Sequence, residues 1–199
     1  MNTLALRNWI SLIKQKIYCN TDGYVYLKSD EFIPELTPKL IIKIEVIKNQ
    51  ENLKKYEDNA DIRRIKEKIS FFLNHGCIGY FAVYNKEIVS SCWLCDLNKF
   101  HPYLHLNNPI FQGKKNYYIF YANTKNNFRR KGIVSYIYTQ ILKDIVGKQG
   151  KIYALIDTDN IASQKSFLKA GFEKNGWLRH IQIFKWILLS KFIKDKDKI

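Results

Sequence analysis

The sequence predicts an α+β domain: one mixed, mostly antiparallel central sheet flanked by helices, with one parallel βαβ unit and a helical N-terminal extension. Three observations predict it. Ile78–Tyr84 and residues 87–94 are β-rich runs joined by the pair Asn85-Lys86, the spacing of a hairpin. Tyr117–Thr124, an amphipathic stretch over 133–145, and residues 151–156 then follow as strand, helix and strand. Two strands joined through a helix should run parallel, with a right-handed crossover. Finally, 199 residues of which 46% are apolar suffice for one sizeable core and are too few for two ordinary domains.

The elements follow in order. Leu4, Leu6, Trp9, Ile10, Leu12, Ile13 and Ile17 make a helical stripe interrupted by Arg7, Lys14 and Lys16. Such a helix either packs on the domain or lies basic side down on a membrane surface or partner. Pro34 and Pro38 mark the end of this extension, residues 1–39. The main domain is expected over 40–185. Ile42, Ile44 and Val46 alternate with Lys43 and Glu45, as in a half-buried strand. Residues 49–74 read as two short helices with Ile62, Ile65, Ile69 and Phe72 on one face, ended by Gly76. Residues 96–116, with Pro102, Pro109 and Gly113, form a long loop of the kind that carries function. Ile133, Ile137, Ile141 and Ile145 recur at helical spacing beside Val134, Tyr138 and Leu142, and Gly147 stops the helix. Residues 160–170 make a short helix closed by Gly171, and 172–174 and 179–184 read as two last strands. Residues 186–199 are a basic tail expected to fray.

Lys and Arg number 33 against 18 Asp and Glu, a net charge of +15. The excess favours anionic partners such as phosphates, nucleic acid or an acidic membrane surface. It is dispersed, however, and no stripe of alternating basic and aromatic residues marks a nucleic-acid path, so that partner is not favoured. No window reaches the ~20 apolar residues of a membrane span, and the charges in the first stretch exclude a secretory signal. Four cysteines in such a chain point to reduced thiols and a cytoplasmic setting. Cys92, Cys95, His101 and His105 suggest zinc on paper, but strand residues three apart face opposite ways, so no metal is expected.

The basic segment Arg129-Arg130-Lys131-Gly132 sits where strand hands over to helix. Amides at a helix start are unpaired and carry partial positive charge, so that corner suits a phosphate. The run from Thr124 to Val134 resembles the acyl-CoA-binding motif of the GCN5-related N-acetyltransferase (GNAT) family: Arg or Gln, two residues, Gly, one residue, then a small residue. Arg129 and Gly132 match, and Val134 fills the small position. Asn160, Ser163, Phe167, Lys169, Gly171 and Phe172 fit the family's downstream helix, which ends Lys-x-Gly-Phe. The similarity extends to a bacterial subgroup linked to cell-surface polysaccharide synthesis, with a Thr at the place of Thr124 and a leading basic helix.

The resemblance implies a GNAT-like fold and acetyl-CoA, or another acyl-CoA, as co-substrate. It places the pyrophosphate on Arg129, Arg130, Lys131, Gly132, Ile133 and Val134, and the acyl and pantetheine part on the backbone of Ala122 and Thr124. Asn160, Ser163 and Phe167 complete the carrier site. The implied reaction is direct attack of an amine on the thioester. The acceptor would be a small molecule such as a nucleotide-linked amino sugar, in a pocket built by the 96–116 loop with Trp93, Phe100, Tyr103 and Phe111. An aminoacyl-tRNA or protein amine, or a non-catalytic CoA-binding module, stands as the alternative. Many family members use a tyrosine at the position of Phe167 as general acid; phenylalanine has no proton to give, so another group serves or the thiolate leaves unaided. His105, His101 and Asp157 are the catalytic candidates, with Asp96 behind them.

Overall fold

The computed structural model describes residues 18–28, 32–113, 115–145, 150–183 and 186–195. The stripe over residues 4–17 lies outside them. Among the described residues the strands are β1 (Tyr18–Lys28), β2 (Lys43–Ile47), β3 (Ile78–Tyr84), β4 (Glu87–Asp96), β5 (Tyr117–Thr124), β6 (Ile152–Asp157), β7 (Glu173–Ile183) and β8 (Trp186–Lys194). The helices are α1 (Gln50–Lys54), α2 (Ala60–Arg64), α3 (Lys66–Asn74), α4 (Ile133–Ile145) and α5 (Ile161–Lys169).

One sheet holds all eight strands in the order β2-β3-β4-β5-β6-β1-β7-β8. Every pairing is antiparallel except β5 with β6. The β3–β4 turn falls at Asn85 and Lys86, with φ of 47° and 66°. Two successive left-handed residues give the turn whose twist matches the strands it joins. Strand alternation then sorts side chains into two cores. Ile133, Ile137, Ile141 and Phe167 from α4 and α5 pack on one face of the sheet; Leu53, Ile62, Ile69 and Phe72 from α1–α3 pack on the other, with Leu106 and Phe111 of the 96–116 loop.

Four expectations are corrected. Residues 18–28 are not outside the domain: β1 lies between β6 and β7, so a boundary at residue 40 cuts one sheet. Gly23 stands mid-strand, and it is glycine because a Cβ there would come 2.7 Å from the Ile156 carbonyl oxygen. The two last strands are one, β7, in which Asn175-Gly176 mimics a turn. Gly176 is required because a Cβ would run into the backbone and ring of Ile193 and Phe192. The tail does not fray from residue 186, since Trp186–Lys194 pairs with β7. Residues 49–74 form three helices instead of two: Asn49 and Asn59 cap the first two starts through Asn52 and Ile62 N–H, and a third helix opens at Lys66 with no side-chain cap.

Candidate functional site

The site begins with a defect in pairing. β5 pairs with β6 only at Tyr117–Ile152 and Tyr118–Tyr153. Further along, Ser91 faces Asn123 while Trp93 faces Phe120, so Tyr121 and Ala122 share the place opposite Cys92. Tyr121 holds φ at +50°, strained for a bulky residue. An extra residue bends its strand, and here the bend carries the end of β5 away from β6. In the gap, the Leu155 N–H donates to the Tyr118 hydroxyl, whose pKa burial pushes up.

Beyond the gap, Thr124 ends β5 with its hydroxyl 2.7 Å from Ser90 Oγ, which also donates to the Asn123 carbonyl at 2.9 Å. Arg129 spends its amide on the Asn126 carbonyl and its Nε on the Thr124 carbonyl. Arg130 and Gly132 are both left-handed, with φ of 61° and 77°. Alternation of this kind turns successive amides toward one side. The first helical bond of α4 runs from Tyr136 N–H to the Gly132 carbonyl, so the amides of Ile133, Val134 and Ser135 have no place in the helix ladder. From behind, Lys39 N–H donates to the Lys131 carbonyl at 3.0 Å. The Cβ that position 132 lacks would meet Pro38 Cα at 3.8 Å and nothing nearer. The positive φ by itself favours glycine there.

The amides face a cleft of about 730 Å³ between the end of β5, this turn, α4 and α5. Ala122, Thr124, Arg129, Arg130, Gly132, Ile133, Val134, Asn160 and Ser163 all line it. Asn160 caps α5, its Oδ1 accepting Ser163 N–H at 3.1 Å. Lys131 lies round the corner, lining a neighbouring depression with its ammonium over the Phe128 ring. Phe167 does not line the cleft. It is buried, with its ring 4.1 Å from Tyr138 and 5.0 Å from Phe172. Tyr138, Asn123, Phe128, Lys165 and Ser166 do line it and were not expected. The signal for Tyr138 was a hydroxylated residue inside the otherwise aliphatic stripe of α4.

The acid–base candidates separate. His101 is tied to its own loop, Nε2 to the Leu97 carbonyl at 2.8 Å and Nδ1 to Asn107 Oδ1 at 3.1 Å. Asp96 pairs with Tyr117 at the opposite end of β5 from Thr124, about 20 Å off by strand rise, and accepts from Asn98. Neither reaches the gap. His105 belongs to a short 3-10 turn, Leu104–Asn107, and its side chain lies outside what the structure describes. Asp157 is exposed at the end of β6, on the sheet face of Tyr153 and Leu155 and close enough to Tyr118 to act on its phenol. It therefore faces the side of the sheet opposite the cleft. On that side Tyr103 packs on Phe120 and Tyr118, Tyr121 packs on Phe72, and Lys68 Nζ sits 3.8 Å from the Tyr121 ring centre. Phe111 is buried beneath. Cys92 and Cys95 pack in opposite cores, and among the described residues no group of His, Cys, Asp or Glu is placed to hold a metal ion. No helix among them is long and apolar enough to cross a membrane.

Residues 110–180 match the family model described as FR47-like protein. Comparison with curated protein sequences finds no match. Solved structures are similar in fold. A conserved protein of unknown function from Staphylococcus epidermidis aligns at TM-score 0.56 and 15% identity, over 92% of this chain and 68% of its own. A GCN5-related N-acetyltransferase-like protein from Streptococcus suis aligns at 0.52 and 12%, over 92% and 68%. An acetyltransferase of the GNAT family from Colwellia psychrerythraea aligns at 0.54 and 11%, over 88% and 61%. The parted β5 and β6, the amide-rich turn between them and these likenesses together establish that the chain has the GCN5-related N-acetyltransferase fold.

Proposed function

We propose that the protein is an acyl-CoA-dependent N-acyltransferase that moves an acetyl group from acetyl-CoA to the primary amine of a small molecule. The observation that carries this reading is the row of helix-start amides over Ile133–Ser135, opening on a cleft that continues to the parted strands. A diphosphate suits that row, with Arg129 and Arg130 adding charge at its rim. The exposed backbone over Ala122–Thr124, unpaired with β6, suits the amide-bearing arm of the carrier. A main-chain N–H there can stabilise the charge that develops on the thioester oxygen. The fold and the FR47-like match support the same assignment.

The acceptor enters from the other face. Asp157 there can hold an ammonium and take up its proton as the nitrogen attacks the acyl carbon. The tyrosine-rich shelf of Tyr103 and Tyr121 suits a sugar ring, and Lys68 beside it suits a phosphate. This supports a nucleotide-linked amino sugar as acceptor, hence a role in polysaccharide building and a cytoplasmic setting where acetyl-CoA is made. Calorimetry with CoA and acetyl-CoA, then thiol release over a panel of amines including nucleotide-linked amino sugars, tests it. Binding plus thiol release with an amino sugar is expected. Binding without release on any amine would leave a CoA-binding module, and strongly salt-dependent tRNA binding would point to an RNA-borne amine.

A further inference from the structure

When an amine displaces a thiol from a thioester, the N–C bond forms, the C–S bond breaks and the electron pair stays on sulfur. The departing thiolate is the charge the cleft must stabilise on the carrier side, and a hydrogen-bond donor aimed at it lowers the barrier. Phe167 offers none. The ring stacked on it, with planes 28° apart, does. Tyr138 is locked between Phe167 and Phe172, the latter 6.4 Å away edge to face, so its ring has no freedom to swing out. Its side chain nonetheless forms part of the cleft wall, next to Ser163 on the first turn of α5. The Ser163 hydroxyl lies close enough to the phenolic oxygen to favour its ionised form, as a donor to it would. With Ser163 as that donor, the phenol proton is left to turn toward the cleft.

We propose that Tyr138 is a catalytic residue whose hydroxyl donates a hydrogen bond to the departing thiolate of the acyl carrier, with Ser163 as its positioning residue. The inference rests on the acyl-CoA reading above. Burial holds the phenol well above its ordinary pKa, so the donor stays protonated at any assay pH. No net proton leaves Tyr138: the amine's proton passes by Asp157 to solvent, and the thiolate is protonated by solvent on release.

The test needs no acceptor. The thiol of bound CoA is titrated through the ultraviolet absorbance of its thiolate, with the desulfo-CoA complex as blank, in the wild type and in Tyr138→Phe. A donor to sulfur favours the thiolate and lowers the thiol pKa. Removing it should raise that pKa by about one to two units, the size of a hydrogen bond to a charged group. CoA affinity by calorimetry should stay the same, which also shows that the variant is folded. Ser163→Ala should move the pKa the same way by less. With an accepted amine, turnover of Tyr138→Phe should fall by about ten- to a hundredfold at unchanged KM for acetyl-CoA. Equal titration in the two proteins at equal CoA affinity would overturn the role of Tyr138 alone. No CoA binding by the wild type would overturn the acyl-CoA reading and this inference with it.

Discussion

Tyr118 does with a side chain what a neighbouring strand would otherwise do. Where β5 leaves β6, the Leu155 N–H would face an empty gap, and the phenolic oxygen receives it instead. A buried amide left without an acceptor costs about 1–3 kcal/mol. Tyr118→Phe should lower stability by about that amount in urea unfolding; an unchanged midpoint would show that the gap admits water to the amide. Asp157 gives a prediction of a different kind. It is exposed and terminates its strand, so Asp157→Asn should leave the urea midpoint within about 0.5 kcal/mol of the wild type. If it anchors the acceptor amine, steady-state kinetics should show reduced turnover with KM for acetyl-CoA unchanged. Equal turnover in the two proteins would move the base elsewhere, with His105 the next residue to change.

The short helix α5 shows why some elements can be read from residues alone. Asn160 caps its start, and at its end Phe172 N–H reaches back to the Phe167 carbonyl and Gly171 N–H to the Leu168 carbonyl. Gly171 supplies the left-handed turn, φ +85°, and the Phe167–Phe172 contact closes it. The sequence pattern Asn…Phe-x-Lys-x-Gly-Phe is thus a list of local interactions. Gly171→Ala should cost about 1–2 kcal/mol in urea unfolding, because alanine resists that φ and its Cβ would meet Pro34 Cδ at 3.0 Å. The hairpin at Asn85-Lys86 and the stripe of α4 were legible for the same reason: each is set by neighbours in sequence. β1 and β7 were not, because Gly23 and Gly176 are explained only by a distant backbone pressing on them. The site divides along the same line. The amide turn was visible in Arg129–Gly132, whereas the bulge at Tyr121 depends on register with β4, and the standing of Tyr138 depends on α5 folding against α4.

At the scale of the whole molecule, the sheet separates two surfaces. The cleft lies on the α4–α5 face, the tyrosine-rich shelf and Asp157 on the other, and among the described residues β5 and β6 part between them. Burying phenols in both cores leaves an imprint on global stability. Burial raises the pKa of Tyr118 on one face and of Tyr138 on the other above the ordinary phenol value of 10.0; Tyr80, bonded to Asp144 at 2.9 Å, is raised as well. Below that value folded and unfolded chains both hold these protons, and the pH has no leverage through them. As pH rises above it, the unfolded chain sheds protons that the folded chain keeps, so stability must fall. Each retained phenol contributes a slope approaching about 1.4 kcal/mol per pH unit. Urea unfolding followed from neutral into alkaline solution should therefore show stability level at first and declining steeply once the ordinary phenol range is passed. Tyr118→Phe, though less stable to begin with, should decline with a shallower slope by one phenol's share. Parallel declines in the two proteins would mean that Tyr118 ionises as easily in the folded state as in the unfolded chain, and its hydroxyl could not then be shut away from water, since burial is what raises its pKa while the Leu155 amide alone would lower it.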